Sequence, residues 1–426
     1  MKNFLGVLLI LFFAAGAQAA EFFERFDDPY LAGYVQEGLQ HNHDLQRAVW
    51  QVEEYRQNVR ASFAKELPSL STGAYYTGFH IPTTLPLHRN AFILPFIARY
   101  EPDFLLKNRD KTKSTKKAYE SMEFQKESVA ISISSDIATV YINLLQYDGL
   151  IWSQERTAAL SEELVRRAQK RFNHGVIDNA ALNTAKKDLE TAKNALDDLH
   201  KQRETALTQF ALLLGRAPGN EIQRGKLEAF EYKAQIPDVI SSEVIFSRPD
   251  VLAAEKQLEM ANINVRVARK EFLPSFNIIG ILAFNTIFPG SFFNWDSTIA
   301  SILAGASQDI FMGGAKVANL KINKARYEQL FETYRQTDLT AVKEVNDALV
   351  IIKIDTATDN NTIEKLRLQT RDFADSGKKF KRGVISEPDL LMAQQQLISA
   401  QQAQIQTKTV RLVNYLTLYK AVGGKL

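Results

Sequence analysis

The chain has 426 residues, with 52 Lys plus Arg against 49 Asp plus Glu, a net charge of +3 and no cysteine. Near-balanced charge leaves no nucleic-acid footprint, and the missing thiols exclude disulfides, Cys nucleophiles, Cys-based metal sites and an N-terminal lipid-bearing cysteine. The length would hold two or three ordinary domains, but the pattern along the chain argues for something more elongated.

Residues 1–19 read as a signal peptide. Lys2 supplies the positive region, Leu5 to Phe13 a short apolar run, and Ala17-Gln18-Ala19 a small-residue cleavage site. The run is too short to span a bilayer as a helix. No later stretch reaches the ~18 uncharged apolar residues a membrane helix needs, so a helical inner-membrane protein is not expected.

Residues 29–66 have a helical pattern ending at Leu67-Pro68, because proline disfavours helix at the residue before it. Residues 69–77 are small, hydroxylated and aromatic, which suits a strand. A loop containing Pro82 and Pro86 follows. Residues 91–101 resume as a strand with Phe92, Leu94, Phe96, Ala98 and Tyr100 on one face and Arg99 and Glu101 on the other. Pro95 weakens that strand, since it cannot donate to a ladder. From Asp103 to about Arg171 there is no proline, and roughly 68 helical residues would extend about 100 Å. No globular core covers such a helix, so it must pack lengthwise against similar ones. A return helix carries Leu182, Ala185, Leu189, Ala192, Leu196, Leu199, Arg203, Ala206, Phe210 and Leu213 at heptad spacing.

Residues 215–247 break this pattern with Gly, Pro and mixed charge, and read as a small strand-containing belt. Then the architecture repeats. A shift of 206 places Asp44, Ala48, Asn58, Val59, Arg60, Leu67 and Pro68 on Asp250, Ala254, Asn264, Val265, Arg266, Leu273 and Pro274. A shift of 208 places Phe172, Gly175, Val176, Ile177, Leu182, Ala185 and Gly215 on Phe380, Gly383, Val384, Ile385, Leu390, Ala393 and Gly423. The chain therefore divides into a first copy at 20–214 and a second at 248–426. The second has strands at about 275–284 and 298–311, joined by a loop with Phe288, Phe292, Phe293 and Trp295. Its long helix runs from Ala315 to about Arg382. Its return seam, Leu390, Ala393, Leu397 and Ala400, turns polar at Gln404, Thr407, Arg411 and Asn414, which suits a wall with water on one side. A period this long is a duplicated unit, not a short solenoid repeat. Four strands with an apolar face fit either segments of a membrane β-barrel or a soluble sandwich.

Ser247-Arg248-Pro249-Asp250-Val251 leading to Phe272-Leu273-Pro274-Ser275-Phe276, Gly383 leading through Asp389-Leu390 to Ala393, and the closing Leu418-Tyr419-Lys420-Ala421-Val422-Gly423-Gly424 together resemble the TolC family of outer-membrane efflux proteins. The resemblance covers nearly all of the mature chain. It implies a mainly α protein with a membrane β-barrel: three chains close twelve strands, four from each, above a periplasmic tube of helices. It implies an outer-membrane location reaching into the periplasm, and partners comprising outer-membrane lipid, a periplasmic adaptor and an inner-membrane pump. It also implies passive export of small molecules with no catalysis and no cofactor. Independently, four strands leave two unpaired edges that hydrocarbon does not tolerate, so one chain cannot close a barrel. A protein-secretion channel and a soluble periplasmic coiled-coil scaffold are the other readings.

Gly175-Val176-Ile177 and Gly383-Val384-Ile385 resemble the family's periplasmic tips, where the adaptor docks; the plainer reading is two turns. Asp389 falls where the family has an acidic residue lining the entrance, which in a trimer makes a carboxylate ring that favours cations. Otherwise it is a solvated residue in a helix's first turn. The equivalent residue in the first tip is Ala181, and Ile385 stands where some members carry a basic gate residue, so the resemblance does not extend to a salt-bridge lock. Lys107, Arg109, Lys111, Lys113, Lys116 and Lys117 form either a headgroup-contacting cluster or a plain solvated face. Arg203 and Arg411 share a seam position suited to pairing with carboxylates on neighbouring helices. His41 and His43 lack a third ligand and make a poor metal site, and no serine motif or phosphate loop is present.

Overall fold

The computed structural model describes residues 21–78, 90–219, 221–237, 239–286, 293, 295 and 298–425. The signal peptide and the loop residues Pro82, Pro86, Phe288 and Phe292 lie outside the described residues. The chain is mainly helical: α1 Leu31–His41, α2 His43–Ala64, then β1 Ser69–Thr72, β2 Tyr75–Gly78 and β3 Asn90–Tyr100, α3 Lys107–Asn173 and α4 Asn179–Leu213. A short α5 Ser242–Phe246 leads into α6 Pro249–Lys270, β4 Ser275–Thr286, β5 Thr298–Ser307, α7 Ala315–Lys381 and α8 Glu387–Ala421.

The duplication is visible in the element lengths. The helices α2 and α6 both have 22 residues, α3 and α7 both 67, and α4 and α8 both 35. Yet the compact units do not follow the copies. One holds described residues of 21–49, 125–250 and 338–425, the other 50–124 and 251–337, so each draws segments from both copies.

Four boundaries differ from the sequence expectation. The helix expected over 29–66 breaks at Asn42, whose ψ of 126° is extended. Asn42 Oδ1 accepts the N–H groups of Asp44 and Leu45 at 2.9 and 3.1 Å, capping α2. The long helix starts at Lys107 because Asp103 caps it, accepting from Lys107 N at 2.7 Å and Arg109 N at 2.8 Å. The strand expected over 69–77 is split at Gly73, which lies opposite Pro95 in an otherwise unbroken register (Thr72↔Phe96, Tyr75↔Ile93). Pro95 has no N–H to give, so the ladder loses a rung but the strand continues. The fourth strand stops at Ser307 instead of residue 311, because its partner β4 begins at Ser275, directly opposite Ser307.

In the first unit, the expected α4 seam is the buried stripe: Leu182, Leu189, Ala192, Ala206 and Phe210 are buried. The polar α8 seam needs a different account. It meets acids on α7: Asn414 Nδ2 donates to Asp355 at 2.6 Å and Thr407 Oγ1 to Asp359 at 2.8 Å. Arg411 lies 3.1 Å from Asp359 and 2.9 Å from Glu231. Asp359 is fully buried, so the seam is polar because its neighbour is polar. Arg203 also finds carboxylates, Glu204 at 3.0 Å and Asp148 at 3.8 Å.

Among its described residues, the 215–247 segment contains one isolated bridge, Phe26↔Tyr232, and a 3-10 turn at Leu227–Ala229 in place of strands. Side chains fasten it. Arg224 forks onto Asp148, Lys408 Nζ donates to Glu228 O at 2.9 Å, and Phe230 and Tyr232 join rings with Phe26, Phe22 and Tyr415. Tyr141 Oη donates to Asp28 at 2.9 Å and accepts from Gly225 N at 3.2 Å; burial raises its pKa. Around this cluster α3 holds one window long and apolar enough to cross a membrane by composition, contrary to the sequence expectation. More than half of that window is buried, with Ile137, Tyr141 and Leu144 fully enclosed, so it is core. Arg248 explains the Arg-Pro-Asp segment: buried, it donates to Asp250 at 2.7 Å, Glu344 at 2.7 Å and Ala421 O at 2.8 Å, tying α6, α7 and the end of α8.

In the second unit, α3 and α6 meet through small polar pairs: Ser114 to Asn264 at 2.6 Å, Ser121 to Ala253 O at 3.0 Å and Lys117 to Glu259 at 2.7 Å. The strands form one antiparallel sheet in the order β1-β3-β4-β5, with β2 extending β1 along β3. Register sorts its two faces, because directly opposite residues share a side. Leu94, Phe96, Ala98 and Tyr100 oppose Phe284, Leu282, Gly280 and Ile278. These oppose Thr298, Ala300, Ile302 and Ala304. That face is almost wholly apolar. The other mixes Ile93, Ile97, Ile279 and Leu303 with Ser69, Ser71, Arg99, Asn277, Ser301 and Ser307.

Candidate functional site at the helix reversals

Both long helices end in the same hydrogen-bonded reversal. At the first, Gly175 N donates to Phe172 O and Val176 N to Arg171 O, each at 2.9 Å. At the second, Gly383 N donates to Phe380 O and Val384 N to Lys379 O, again at 2.9 Å. This is the Schellman pattern, in which a left-handed residue turns the chain back to satisfy the last carbonyls. The glycines supply that conformation at φ of +68° and +73°. An L-side chain there pays a steric cost that glycine avoids.

The return helices start alike. Asp178 caps α4 by accepting from Ala181 N at 2.8 Å. Ser386, its counterpart, accepts from Asp389 N at 3.4 Å, while Asp389 Oδ2 accepts from Ser386 N at 3.0 Å and Oγ at 2.6 Å. Asp389 thus closes a capping box. Donation by the Ser386 hydroxyl, then by its backbone N–H, holds the exposed Asp389 carboxyl below the usual aspartate range.

Val176 is 61% exposed and Val384 69%, and Phe172 and Phe380 are also exposed. Ile177 and Ile385 are half-buried. Val176 and Val384 hold the position just past the left-handed glycine, where a Schellman turn commonly carries an apolar residue, and here both stand largely in water. An ion pair that sequence spacing could not reveal links the two tips: Arg167 on α3 meets Glu387 in the first turn of α8, while Glu163 pairs with Arg166 and Arg167. Arg166 and then Arg167 lower the Glu163 pKa.

Among the described residues no group of three or more His, Asp or Glu side chains is placed to hold a metal ion, and His41 and His43 lie either side of the Asn42 break.

The outer membrane efflux protein family matches residues 34–216 and 240–424. The chain is 26% identical over 413 residues to the probable outer membrane lipoprotein SilC of Salmonella typhimurium, across 94% of this chain and 87% of that relative. It is 25% identical over 414 residues to the probable efflux pump outer membrane protein TtgC of Pseudomonas putida, across 94% and 84%. Its fold matches the CmeC outer membrane channel of Campylobacter jejuni with a TM-score of 0.83 at 24% identity, over 94% of this chain and 87% of that one. With the match running through both copies, the chain belongs to the outer membrane efflux protein family.

Proposed function

We propose that this chain is the outer-membrane exit duct of a tripartite efflux system, passing small molecules delivered by an inner-membrane pump through a periplasmic adaptor, and carrying out no chemistry itself. Three copies close a twelve-stranded barrel, and the long helices form its periplasmic continuation.

The observation that carries the barrel is the sheet. Only Ala283 among the described strand side chains is buried, and one sheet is present instead of two packed layers. That argues against the soluble sandwich, which would need one face covered. Among the described residues, strands β1/β2 and β5 have open edges, which hydrocarbon penalises until neighbours pair with them. The apolar face supplies the lipid contact, and the 426 residues contain no cysteine to carry a lipid. The names of relatives such as TtgC favour pump-driven efflux over protein secretion.

The exposed Val176 and Val384, with Gly175, Ile177, Gly383 and Ile385, form the adaptor-docking tips in this reading. Asp389 contributes one carboxylate of a cation-favouring entrance ring while also capping α8. Detergent extraction of outer membranes followed by cross-linking should yield trimers that conduct in planar bilayers. A folded monomer in detergent-free buffer would refute the proposal. Asp389→Asn removes the charge but leaves an acceptor for the cap, and it should lower cation preference as much as Asp389→Ala. Unchanged selectivity in Asp389→Asn would remove Asp389 from the entrance.

A further inference from the structure

We propose that paired lysines at the start of each long helix, Lys113 with Lys116 and Lys321 with Lys324, bind anionic phospholipid headgroups of the periplasmic leaflet; this rests on the barrel reading above. The pairs are duplicates. With α3 and α7 aligned at their first residues, Lys107 and Ala315, position 113 falls on 321 and 116 on 324. All four side chains are exposed. Lys116, Lys321 and Lys324 have no ion-pair partner among the described residues, and Lys113 reaches Asp110 only at 4.0 Å. In the rest of the basic cluster Lys107 pairs with Glu101 at 3.0 Å and Lys117 with Glu120 and Glu259, while Arg109 and Lys111 have no ion pair among the described residues but fall on Val317 and Asn319 in the second copy. Within this cluster, positions 113 and 116 alone carry a basic residue without a close ion pair in both copies.

Each pair follows an apolar segment at the end of a strand. After β3, Phe104 is 72% exposed and packs edge-on against Phe276 at 5.4 Å. Phe276 lies on the apolar face, opposite Ala306. After β5, Ile310 is 97% and Phe311 88% exposed. Such residues suit the boundary between hydrocarbon and headgroups.

The helix direction then aims the lysines. A cleft beside the Ser275–Ser307 pair on the mixed face is lined by Lys107 of α3 and by Ala315, Lys316 and Asn319 of α7. At about 100° per residue, each lysine pair lies roughly half a turn away from those cleft residues, on the other side of its helix. The pairs sit about 9 to 14 Å along the helix from its first residue. Side chains on a helix lean toward its N-terminus, here the strand end, and lysine stems can extend further that way. That brings the ammonium groups within about a Debye length, roughly 8–10 Å, of headgroup phosphates.

The test uses the full-length protein in dodecyl maltoside, titrated with phosphatidylglycerol and, in parallel, phosphatidylcholine, with bound lipids counted by native mass spectrometry. The wild type should favour phosphatidylglycerol by about tenfold or more, since each lysine near an anionic surface contributes roughly a fivefold factor. The preference should weaken with salt and resist millimolar inorganic phosphate. The K113Q/K116Q/K321Q/K324Q variant should lose it and the corresponding four-arginine variant should keep it. Equal binding of the two lipids by the wild type, or retained preference in the glutamine variant, overturns the inference. So does carbodiimide coupling of Lys116 or Lys324 to a carboxylate of a neighbouring protomer, which would show that protein neutralises the charge. A detergent-bound conducting trimer indifferent to phosphatidylglycerol sinks this inference alone, whereas a detergent-free soluble monomer sinks the barrel as well.

Discussion

Arg411→Met should be among the most destabilising single substitutions in the helical unit. It strands Asp359, which is fully buried and would keep only the Thr407 hydroxyl at 2.8 Å. Glu231 is less affected, because Lys408 still pairs with it at 2.7 Å. Breaking a buried ion pair by removing one partner costs about 3–5 kcal/mol. The lower end applies here. Arg411 retains some exposure, and its Nε–H makes no directed hydrogen bond to Asp359 Oδ2, so charge and burial hold the contact. About 3 kcal/mol per chain should lower the unfolding midpoint by roughly 5 °C, scaling down the shift expected for smaller domains. Circular dichroism of the detergent-solubilised protein at one fixed scan rate is the appropriate assay, since unfolding of such an assembly is governed by rate. Adding Asp359→Asn should recover about 2 kcal/mol, because a buried amide can pair with Thr407 without carrying charge. The reasoning fails if Arg411→Met melts with the wild type, or if the double variant loses the sum of the two singles.

Gly383→Ala should destabilise the second tip by about 1 kcal/mol through left-handed backbone strain alone, since nothing lies within 4 Å of the added methyl; faster tip proteolysis without a changed global midpoint is the expected reading. Arg248→Lys should fail to restore what Arg248→Met loses, about 2–3 kcal/mol in either, because one ammonium cannot reproduce the fork shared among Asp250, Glu344 and Ala421 O; a lysine variant with a wild-type midpoint would contradict this. Asp389 sets a pH dependence of known sign. A depressed carboxylate contributes stability above the ordinary aspartate pKa, about 3.9, and loses it as pH falls through the lower folded value. Amide exchange in the first turn of α8, corrected for intrinsic rates, should therefore stay flat from neutral pH to about 5 and rise below about 4, a rise that Asp389→Asn should abolish. Tyr141→Phe should cost about 1–2 kcal/mol, since it removes a donor to Asp28 and an acceptor for Gly225 N; an unaltered melting profile would count against the hydroxyl as a fastener of the 221–232 segment.

Much of the fold was legible because its signals are local and repeat. The α4 seam from Leu182 to Phe210 shows a heptad period in sequence and the same period in burial. Gly175 and Gly383 mark the reversals because few other residues take a positive φ. The candidate site was only partly legible. Ser386 and Asp389 stand three apart and could be read as a cap from spacing, whereas Arg167 and Glu387 are 220 positions apart and share no periodic pattern. Strand ends were misjudged where a partner decided them: β5 stops at Ser307 because β4 has begun, and no property of residues 308–311 announces it.

Periodicity, proline placement and internal duplication by themselves determined the element order, the helix seams, the two reversals and the apolar face of the strands, because each depends on residues within a few turns or rungs of one another. Folding in three dimensions decided which polar groups are matched. Asp359 with Arg411 and Thr407, Arg248 with Glu344, and Tyr141 with Asp28 are separated by tens to more than a hundred residues. The stability of a buried charge depends on what surrounds it in space, and only the packed chain supplies those surroundings.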